Sequence, residues 1–477
     1  MTPAPATISD ELWATFPAAA RAIVVSLLEP NATLEARVVQ LEAQVADLTA
    51  KLNRNSSNSS LPPSANPLHA KPAPPKPKSG KRRGGQIGHP KNERVLLPPD
   101  EIIAIKPEVC RECRHPLAGE DPVPIVLQVQ EIPEIKPKVS EYRRHRLKCQ
   151  RCGTITCGVR PAGIQSGYGP RAEATIADFG GQLRVSKQAT SDALGDLFGL
   201  PIGPAAVCKL QAKTAAALEP IAIEILEYVR DQPAANIDET SWNKSKPKSW
   251  LWCLVAPLAT AFLIRPQRNR EAFDDLVGSH PPILTSDRFK VYDHLPPAKR
   301  QVCWAHLRRD FQAMIDRNNA GTKVGVELLS HANMLFEAWP KVRDGTLTRD
   351  EFRQQYLPDL PSEVGSWLRD GTATACAKTT ATCREILKVE ESLWTFALVE
   401  GVEPTNNAAE RSLRHAVCWR KVSYGTKSES GRRFAERILT AVATCRQQGR
   451  GILAFLYDAI HSARTGQAAP SLLPGGV

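Results

Sequence analysis

Two kinds of side chain in this sequence have spacings that could do chemistry. Four cysteines form two C-x-x-C pairs, Cys110-Arg-Glu-Cys113 and Cys149-Gln-Arg-Cys152. Four soft thiolates are the set that closes a tetrahedral structural zinc site. The stretch between the pairs is longer than in the usual zinc ribbon, but Val126 to Val139 and Tyr142 to Leu147 read as strands able to bring them together. Unligated buried cysteines are the alternative, and Cys157 falls outside the pattern. Carboxylates on separate elements are the second kind: Asp238, Asp287 and Glu410. In-line phosphodiester cleavage needs two hard cations about 4 Å apart, held by shared oxygen ligands, so a lone Asp does not suffice. Glu239, Asp293 and Glu403 are nearby competitors, and an isolated acid is most often a cap or a solvated charge.

The elements that must position these acids can be read from the surrounding pattern. Asn236-Ile-Asp-Glu-Thr-Ser-Trp242 precedes two apolar runs, Trp250 to Ala256 and Thr260 to Ile264, which suggest adjacent antiparallel strands with Asp238 on the first of the three. After a helical segment from Arg270 to Val277, Ile283-Leu-Thr-Ser-Asp287 reads as a further strand that delivers its acid at the carboxyl end. Glu410 falls on a helix that Asn406 or Asn407 could cap, with Arg411 and Arg414 on or near its exposed face. Strands, helix and strand in this order are what a ribonuclease-H-like mixed sheet requires. The stretch from Gln312 to Leu398 reads as mostly helical, with Trp339, Trp367 and Trp394 as core anchors.

The rest of the chain points to a polyanionic partner. Its 62 Lys and Arg against 50 Asp and Glu leave a net charge of +12, and each phosphate neutralised by a cation releases condensed counterions. Apolar residues at Leu34, Val38, Leu41, Val45, Leu48 and Leu52 alternate steps of four and three, the seam of a coiled coil or of one packed amphipathic helix. An Asn-Ser stretch, Asn53 to Ser60, leads into Pro and Lys and then Lys81-Arg-Arg-Gly-Gly-Gln-Ile-Gly-His89. Such a composition cannot bury a core, and it suits a disordered basic arm, with Lys81, Arg82 and Arg83 at its centre, or an inert linker. Helical segments from Arg171 to Arg230, broken at Gly199-Leu-Pro-Ile-Gly203, fit either a helix-turn-helix or plain packing. No secretory signal is expected, and the longest apolar stretch, Leu251 to Ile264, is broken by Pro257 and falls short of the about 20 residues a bilayer requires. A reducing, cytoplasmic setting follows, in which the 12 cysteines are better read as thiols or metal ligands than as disulfides.

These features resemble, in kind and in order, the transposases of the insertion sequence 66 family, a DDE-type family. The match rests on the zipper-like helix, the Asn-Ser and Gly-Gly-Gln-x-Gly-His stretches, two C-x-x-C knuckles, and Asp-Glu-Thr at 238–240. It continues through Ser286-Asp287, Cys303-Trp-Ala-His306-Leu-Arg-Arg-Asp-Phe311 and Asn406-Asn-Ala-Ala-Glu-Arg411. The resemblance implies an RNase H-like catalytic core with a helical insertion before the last acid, and cutting and joining of DNA at element ends. It also implies that Asp238, Asp287 and Glu410 are the triad that holds two Mg²⁺ or Mn²⁺ ions. The sequence departs from the family at Arg288-Phe289, where Gly-Tyr is common, and at Thr405, where an Asp commonly stands.

The expected organisation is a coiled-coil segment over 1–52, a basic linker over 53–94, a zinc-binding module over 95–165 and helices over 166–230. A catalytic core over 231–311 and 399–464 would then enclose a helical insertion at 312–398, with a tail at 465–477. DNA contacts are expected from Lys81, Arg82, Arg83, Arg308, Arg309, Arg411, Arg414, Arg420 and Lys421. Cys303 and His306 form C-x-x-H, which either contributes to a second metal site or, as we prefer, faces the core at a strand-helix junction. Expected partners are double-stranded DNA, a second copy of the chain and accessory transposition proteins, with no membrane and a location on the nucleoid. A DNA-binding regulator without catalysis is the alternative function, and a nuclease that never joins strands is a third.

Overall fold

The computed structural model describes residues 9–52, 94–243 and 248–475. It divides into two compact units, Met1–Pro74 with Pro233–Asn236 and Pro281–Ala408, and Pro75–Gln232 with Ile237–His280 and Ala409–Val477. Among the described residues no helix is long and apolar enough to cross a membrane.

Helices α1 (Asp10–Thr15) and α2 (Ala18–Leu52) open the described chain. The seam residues Leu34, Val38, Leu41, Val45, Leu48 and Leu52 all lie on α2, and all are exposed. From 94 to 169 the chain carries little regular structure apart from the antiparallel pair β1 (Arg146–Lys148) and β2 (Ile155–Cys157). This corrects the expected strands. Residues 126–139 form none, and only Arg146 and Leu147 of the Tyr142–Leu147 run are paired. Pro133 and Pro137 have no N–H to donate to a ladder, and Leu127, Ile132 and Val139 remain exposed, so no sheet face is buried there.

Four helices follow, α3 (Pro170–Gly181), α4 (Lys187–Phe198), α5 (Pro204–Ala217) and α6 (Glu219–Arg230). Proline opens α3 and α5, where its missing N–H has no intrahelical partner to lose. Gly199, at φ 58°, ends α4 in the left-handed region that glycine enters without strain. Ile176, Leu194, Ile202, Val207 and Leu210 close a small core among these helices.

The strands of the mixed sheet are β3 (Ala234–Asn243), β4 (Ser249–Val255), β5 (Thr260–Arg265), β6 (Ile283–Ser286) and β7 (Arg300–Val302), with α7 (Arg270–Val277) between β5 and β6. In the first unit the start of β3 pairs in parallel with β6, and β6 in parallel with β7. In the second, β4 lies beside β3 and pairs antiparallel with β5. Unlike an ordinary edge, β5 is covered. The Phe262 amide donates to Thr440 Oγ1 at 3.1 Å, the Thr260 amide to Thr444 Oγ1 at 3.2 Å, and the Ile264 amide to Glu436 Oε1. Three side chains four residues apart on one helix thus match alternate amides of a strand, a device that denies the edge to other chains.

Helix α8 (Trp304–Asp316) follows β7, then α9 (Thr322–Arg343), α10 (Arg349–Tyr356), α11 (Leu360–Thr372), α12 (Ala377–Leu387) and α13 (Thr395–Leu398). They enclose the core of the first unit, in which Trp339 meets Phe396 at 4.7 Å and Phe352 at 5.3 Å edge to face. Trp339 and Trp394 are buried, and Trp367 packs half-buried at the margin. The chain ends with α14 (Asn407–Ser423), the edge-covering α15 (Glu429–Gln447) and α16 (Ile452–Thr465). Arg464 of α16 pairs with the buried Glu173 of α3.

Candidate active site

Asp238 lies in mid-β3, and the strand's period of two puts Asn236, Asp238 and Thr240 on one face and the buried Ile237 and Glu239 on the other. The alternation separates two adjacent carboxylates. Glu239 Oε1 accepts from Arg268 Nε at 2.8 Å and from Nη2, and the Arg268 guanidinium lies 5.0 Å from the centre of the Trp250 ring. Glu239 is therefore a neutralised core acid. The other competitors are also engaged: Asp293 accepts from Arg300 at 3.1 Å, and Glu403 from Trp339 Nε1 at 3.1 Å and Arg343 Nε at 2.8 Å.

Asp287 follows β6 directly. Its Oδ1 accepts from the Phe289 amide at 2.9 Å, and its carbonyl accepts from Arg300 Nη2 at 3.1 Å. Arg300 is buried to 1% exposure, and desolvation, partly offset by Asp293, pulls its pKa down from the usual guanidinium range. Arg288, the departure from the family pattern, pairs with Asp310 of α8.

Glu410 stands in the first turn of α14. Within the second unit Cys253 of β4 touches the surroundings of two acids: its thiol reaches the Ala409 carbonyl at 3.9 Å, and it is hydrogen-bonded to the backbone of Asp238. Burial first, and the Asp238 charge second, push the Cys253 pKa well above the ordinary thiol value, which keeps the proton on sulfur.

Within the first unit, the residues that precede the acids are tied together. Asn236, two residues before Asp238, is in register with Thr285, two before Asp287. Asn236 Nδ2 donates to the Thr405 carbonyl and to Asn406 Oδ1, both at 3.2 Å. Cys303, at the start of α8, donates its amide to the Ser286 carbonyl at 2.8 Å and accepts the Asn406 amide on its sulfur at 3.1 Å. The Trp304 amide meets the Pro404 carbonyl at 2.9 Å. Cys303 thus occupies a buried strand-helix junction, and motif reading pointed to that role but not to its partner. Asn236 and Cys253 were missed altogether. The only sequence signal for Asn236 was its place two residues before an acid on the same strand face.

The candidate basic residues differ in their freedom. Arg411, Arg414 and Lys421 are exposed on α14. Arg420 is spent on β3, donating to Thr240 Oγ1 at 3.1 Å and Ser241 Oγ at 3.0 Å. Nearby, Trp242 Nε1 donates to Thr426 Oγ1 at 2.8 Å, and Gly425, at φ 84°, packs so closely on the end of β3 that a Cβ would stand 2.7 Å from the Trp242 carbonyl. Arg308 stacks on Phe336 at 4.8 Å, and Arg309 Nε contacts its own helix at the Ala305 carbonyl. Lys81, Arg82 and Arg83 lie outside the described residues.

The two C-x-x-C segments fold alike. In each, the first cysteine's amide donates to the carbonyl five residues on (Cys110 to His115, Cys149 to Thr154, both 2.8 Å), and its carbonyl accepts the amide four residues on (Arg114 at 3.0 Å, Gly153 at 2.9 Å). That fourth residue has positive φ in both, 62° at Arg114 and 76° at Gly153. Bridges between Val109 and Pro116 and between Lys148 and Ile155 close the two turns at equivalent places. Hydrogen bonds within each turn lower the pKa of Cys110 and bring that of Cys152 to about 7, so these thiols suit a cation. Cys113 hydrogen-bonds Cys110 and Cys149 hydrogen-bonds Cys152. Among the described residues no group of three or more His, Cys, Asp and Glu is gathered to hold a metal ion, which applies to these four cysteines and to Asp238, Asp287 and Glu410 alike. Thiols have little attraction for one another, and it is metal-binding free energy that gathers such sets.

The family described as Transposase IS66 matches residues 172–433, more than half of the chain, and the chain belongs to that family. A family of unknown function matches residues 6–95. Two curated relatives, both uncharacterized proteins of Sinorhizobium fredii (strain NBRC 101917 / NGR234), are similar to it. The protein y4qI is 25% identical over 261 residues, 49% of this chain and 48% of its own length. The protein y4hP is 24% identical over 410 residues, 77% of this chain and 71% of its own. The chain thus spans about half the length of the first relative.

Proposed function

We propose that this protein is a DDE-type DNA transposase with an RNase H-like core, which cuts and joins the ends of an insertion element. In this reading Asp238, Asp287 and Glu410 together hold two Mg²⁺ or Mn²⁺ ions. The observation that carries it is the knot of hydrogen bonds joining Asn236, Ser286, Cys303 and Asn406, since these residues precede or adjoin each acid by a few positions. The pairing of Glu239, Asp293 and Glu403 with Arg268, Arg300 and Arg343 supports the same choice, because it gives those three competing acids structural partners. The donor set fits hard cations, being all carboxylate oxygen. When bound, such a pair neutralises phosphate charge and lowers the pKa of bound water.

The chain's own residues supply the rest. Arg268 neutralises Glu239 and so keeps the charge of β3 on its Asp238 face. Arg411, Arg414 and Lys421 present exposed cations to the DNA backbone on the helix that bears Glu410. Cys110, Cys113, Cys149 and Cys152 would hold a structural zinc, which the two matched turns favour. The uncovered seam of α2 suits pairing with a second copy, as the synapsis of two DNA ends requires. The setting is cytoplasmic, on the nucleoid, with accessory transposition proteins as further partners.

The test is incubation of the purified chain with element-end DNA and Mg²⁺ or Mn²⁺. Nicking and strand joining by the wild type, with Asp238→Asn shifting the DNA but leaving it uncut, is the expected result. A shift without nicking would make the chain a regulator, and cutting without joining would make it a nuclease.

A further inference from the structure

We propose that Asn236 and Cys303 are positioning residues for Glu410: together they clamp the buried segment Pro404–Asn406 and so set where the helix bearing that acid begins. The proposal rests on the metal-dependent reading above.

The segment has no regular structure, yet Thr405 and Asn406 are buried at 4% and 0% exposure. Buried backbone groups outside helices and strands must find partners elsewhere. Here they find three. The Pro404 carbonyl takes the Trp304 amide, the Thr405 carbonyl takes the Asn236 side chain, and the Asn406 amide goes to the Cys303 sulfur. The second bond from Asn236, to Asn406 Oδ1, fixes the orientation of that side chain as well. The partners are not neutral scaffolding. Asn236 shares a strand face with Asp238 two residues on, and the Cys303 amide holds the Ser286 carbonyl, one residue before Asp287. One small cluster therefore references the start of α14 to both strands that carry the other acids. Glu410 follows Asn406 by four residues, about one helical turn.

Carboxylates that share cations must hold their geometry to within about 0.5 Å. Loosening the clamp should therefore cost metal affinity before it costs the fold, which distinguishes positioning from support. Outer partners of metal ligands change affinity by about 10- to 100-fold when removed.

The experiment uses the full chain and Mn²⁺ alone as probe, with binding followed by electron paramagnetic resonance and melting temperature measured in parallel. Cys303→Ala should raise the Mn²⁺ half-saturation concentration by about tenfold or more. Cys303→Ser, whose hydroxyl can accept the same amide, should return it close to the wild-type value. Asn236→Leu, which keeps bulk but loses both donors, should act like Cys303→Ala, and it serves as the independent variant if Cys303→Ala does not fold. Lower melting temperatures with Mn²⁺ affinity unchanged in both Cys303→Ala and Asn236→Leu would overturn the clamp while leaving the transposase reading intact. A wild type that binds no Mn²⁺, with Asp238→Asn indistinguishable from it, would instead remove the metal reading and the clamp with it.

Discussion

The cysteine turns and the acid-bearing strands both carry side chains of metal-ligating type, but they are held by opposite means. Each cysteine pair is built from eight consecutive residues, 109–116 and 148–155, closed by its own backbone bonds and set in an exposed stretch with almost no core. The residues that precede the acids are instead tied to partners far away in the chain: Asn236 reaches 170 positions to Asn406, and Cys303 reaches 103. Local closure needs little packing, so it can form on a surface, whereas long-range closure needs burial to keep its hydrogen bonds dry. The knuckles should therefore be detachable from the rest, and the hydrogen-bonded segments that precede the acids should not.

The most severe way to probe this contrast is at the acids. Replacing Asp287 by Asn, or Glu410 by Gln, should lower metal-dependent cleavage by about a thousandfold, since losing a cation ligand removes several kcal/mol of transition-state stabilisation. Melting temperature should barely move, and a variant retaining a tenth of wild-type cleavage would break the account at that residue. Next in size is the proposed zinc module. The double change Cys149→Ala with Cys152→Ala should abolish stoichiometric zinc in elemental analysis and expose residues 95–165 to protease, at a cost on the order of 10 kcal/mol to that module. The main melting transition should survive, and its loss would show that the knuckles are not independent.

Packing provides a smaller, sharper contrast. Trp339→Ala, at the centre of an aromatic cluster in the first unit, should cost about 3–5 kcal/mol in denaturant unfolding. Ile125→Ala, at a fully exposed site, should stay within about 0.5 kcal/mol. On the side proposed to face DNA, Arg411→Ala and Arg414→Ala should each lower the slope of log affinity against log salt by about one, which a filter-binding series measures. Arg420→Ala should alter it less, because that side chain is held by Thr240 and Ser241.

The smallest effect is a pH dependence. Burial, together with Arg446 and Arg184, lowers the pKa of His415, although a bond to the Gly181 carbonyl works the other way. The unfolded chain therefore takes up this proton more readily than the fold does. The contribution to stability is complete above the unfolded value near 6.5 and falls as pH drops below it toward the folded pKa. His415→Gln should flatten the stability profile in that window.

Much of the fold was legible because its signals are local. The apolar runs Trp250 to Ala256 and Thr260 to Ile264 became β4 and β5, antiparallel as expected, and Ile283–Ser286 delivers Asp287 at its end. The seam positions Leu34 to Leu52 lie on one continuous helix. The strand reading failed from 126 to 139, where β-branched residues suggested a sheet but two prolines and the absence of anything to pack on decided otherwise. What lay beyond sequence reading was pairing at a distance. Nothing in the spacing of Asn236 or Cys253 announces a partner far away in the chain, and the bond of Arg420 to β3 is equally non-local. Motifs identify which residue types are present, while the contacts that orient them come from the fold.

The central claim is that three acids from separate elements share one pair of cations, and crystals of the full chain grown with Mn²⁺ test it most directly. Anomalous scattering should show two peaks about 4 Å apart, each within coordination distance of carboxylate oxygens from the set Asp238, Asp287 and Glu410. Peaks bound elsewhere, or a Glu410 carboxylate that reaches neither ion, would contradict it.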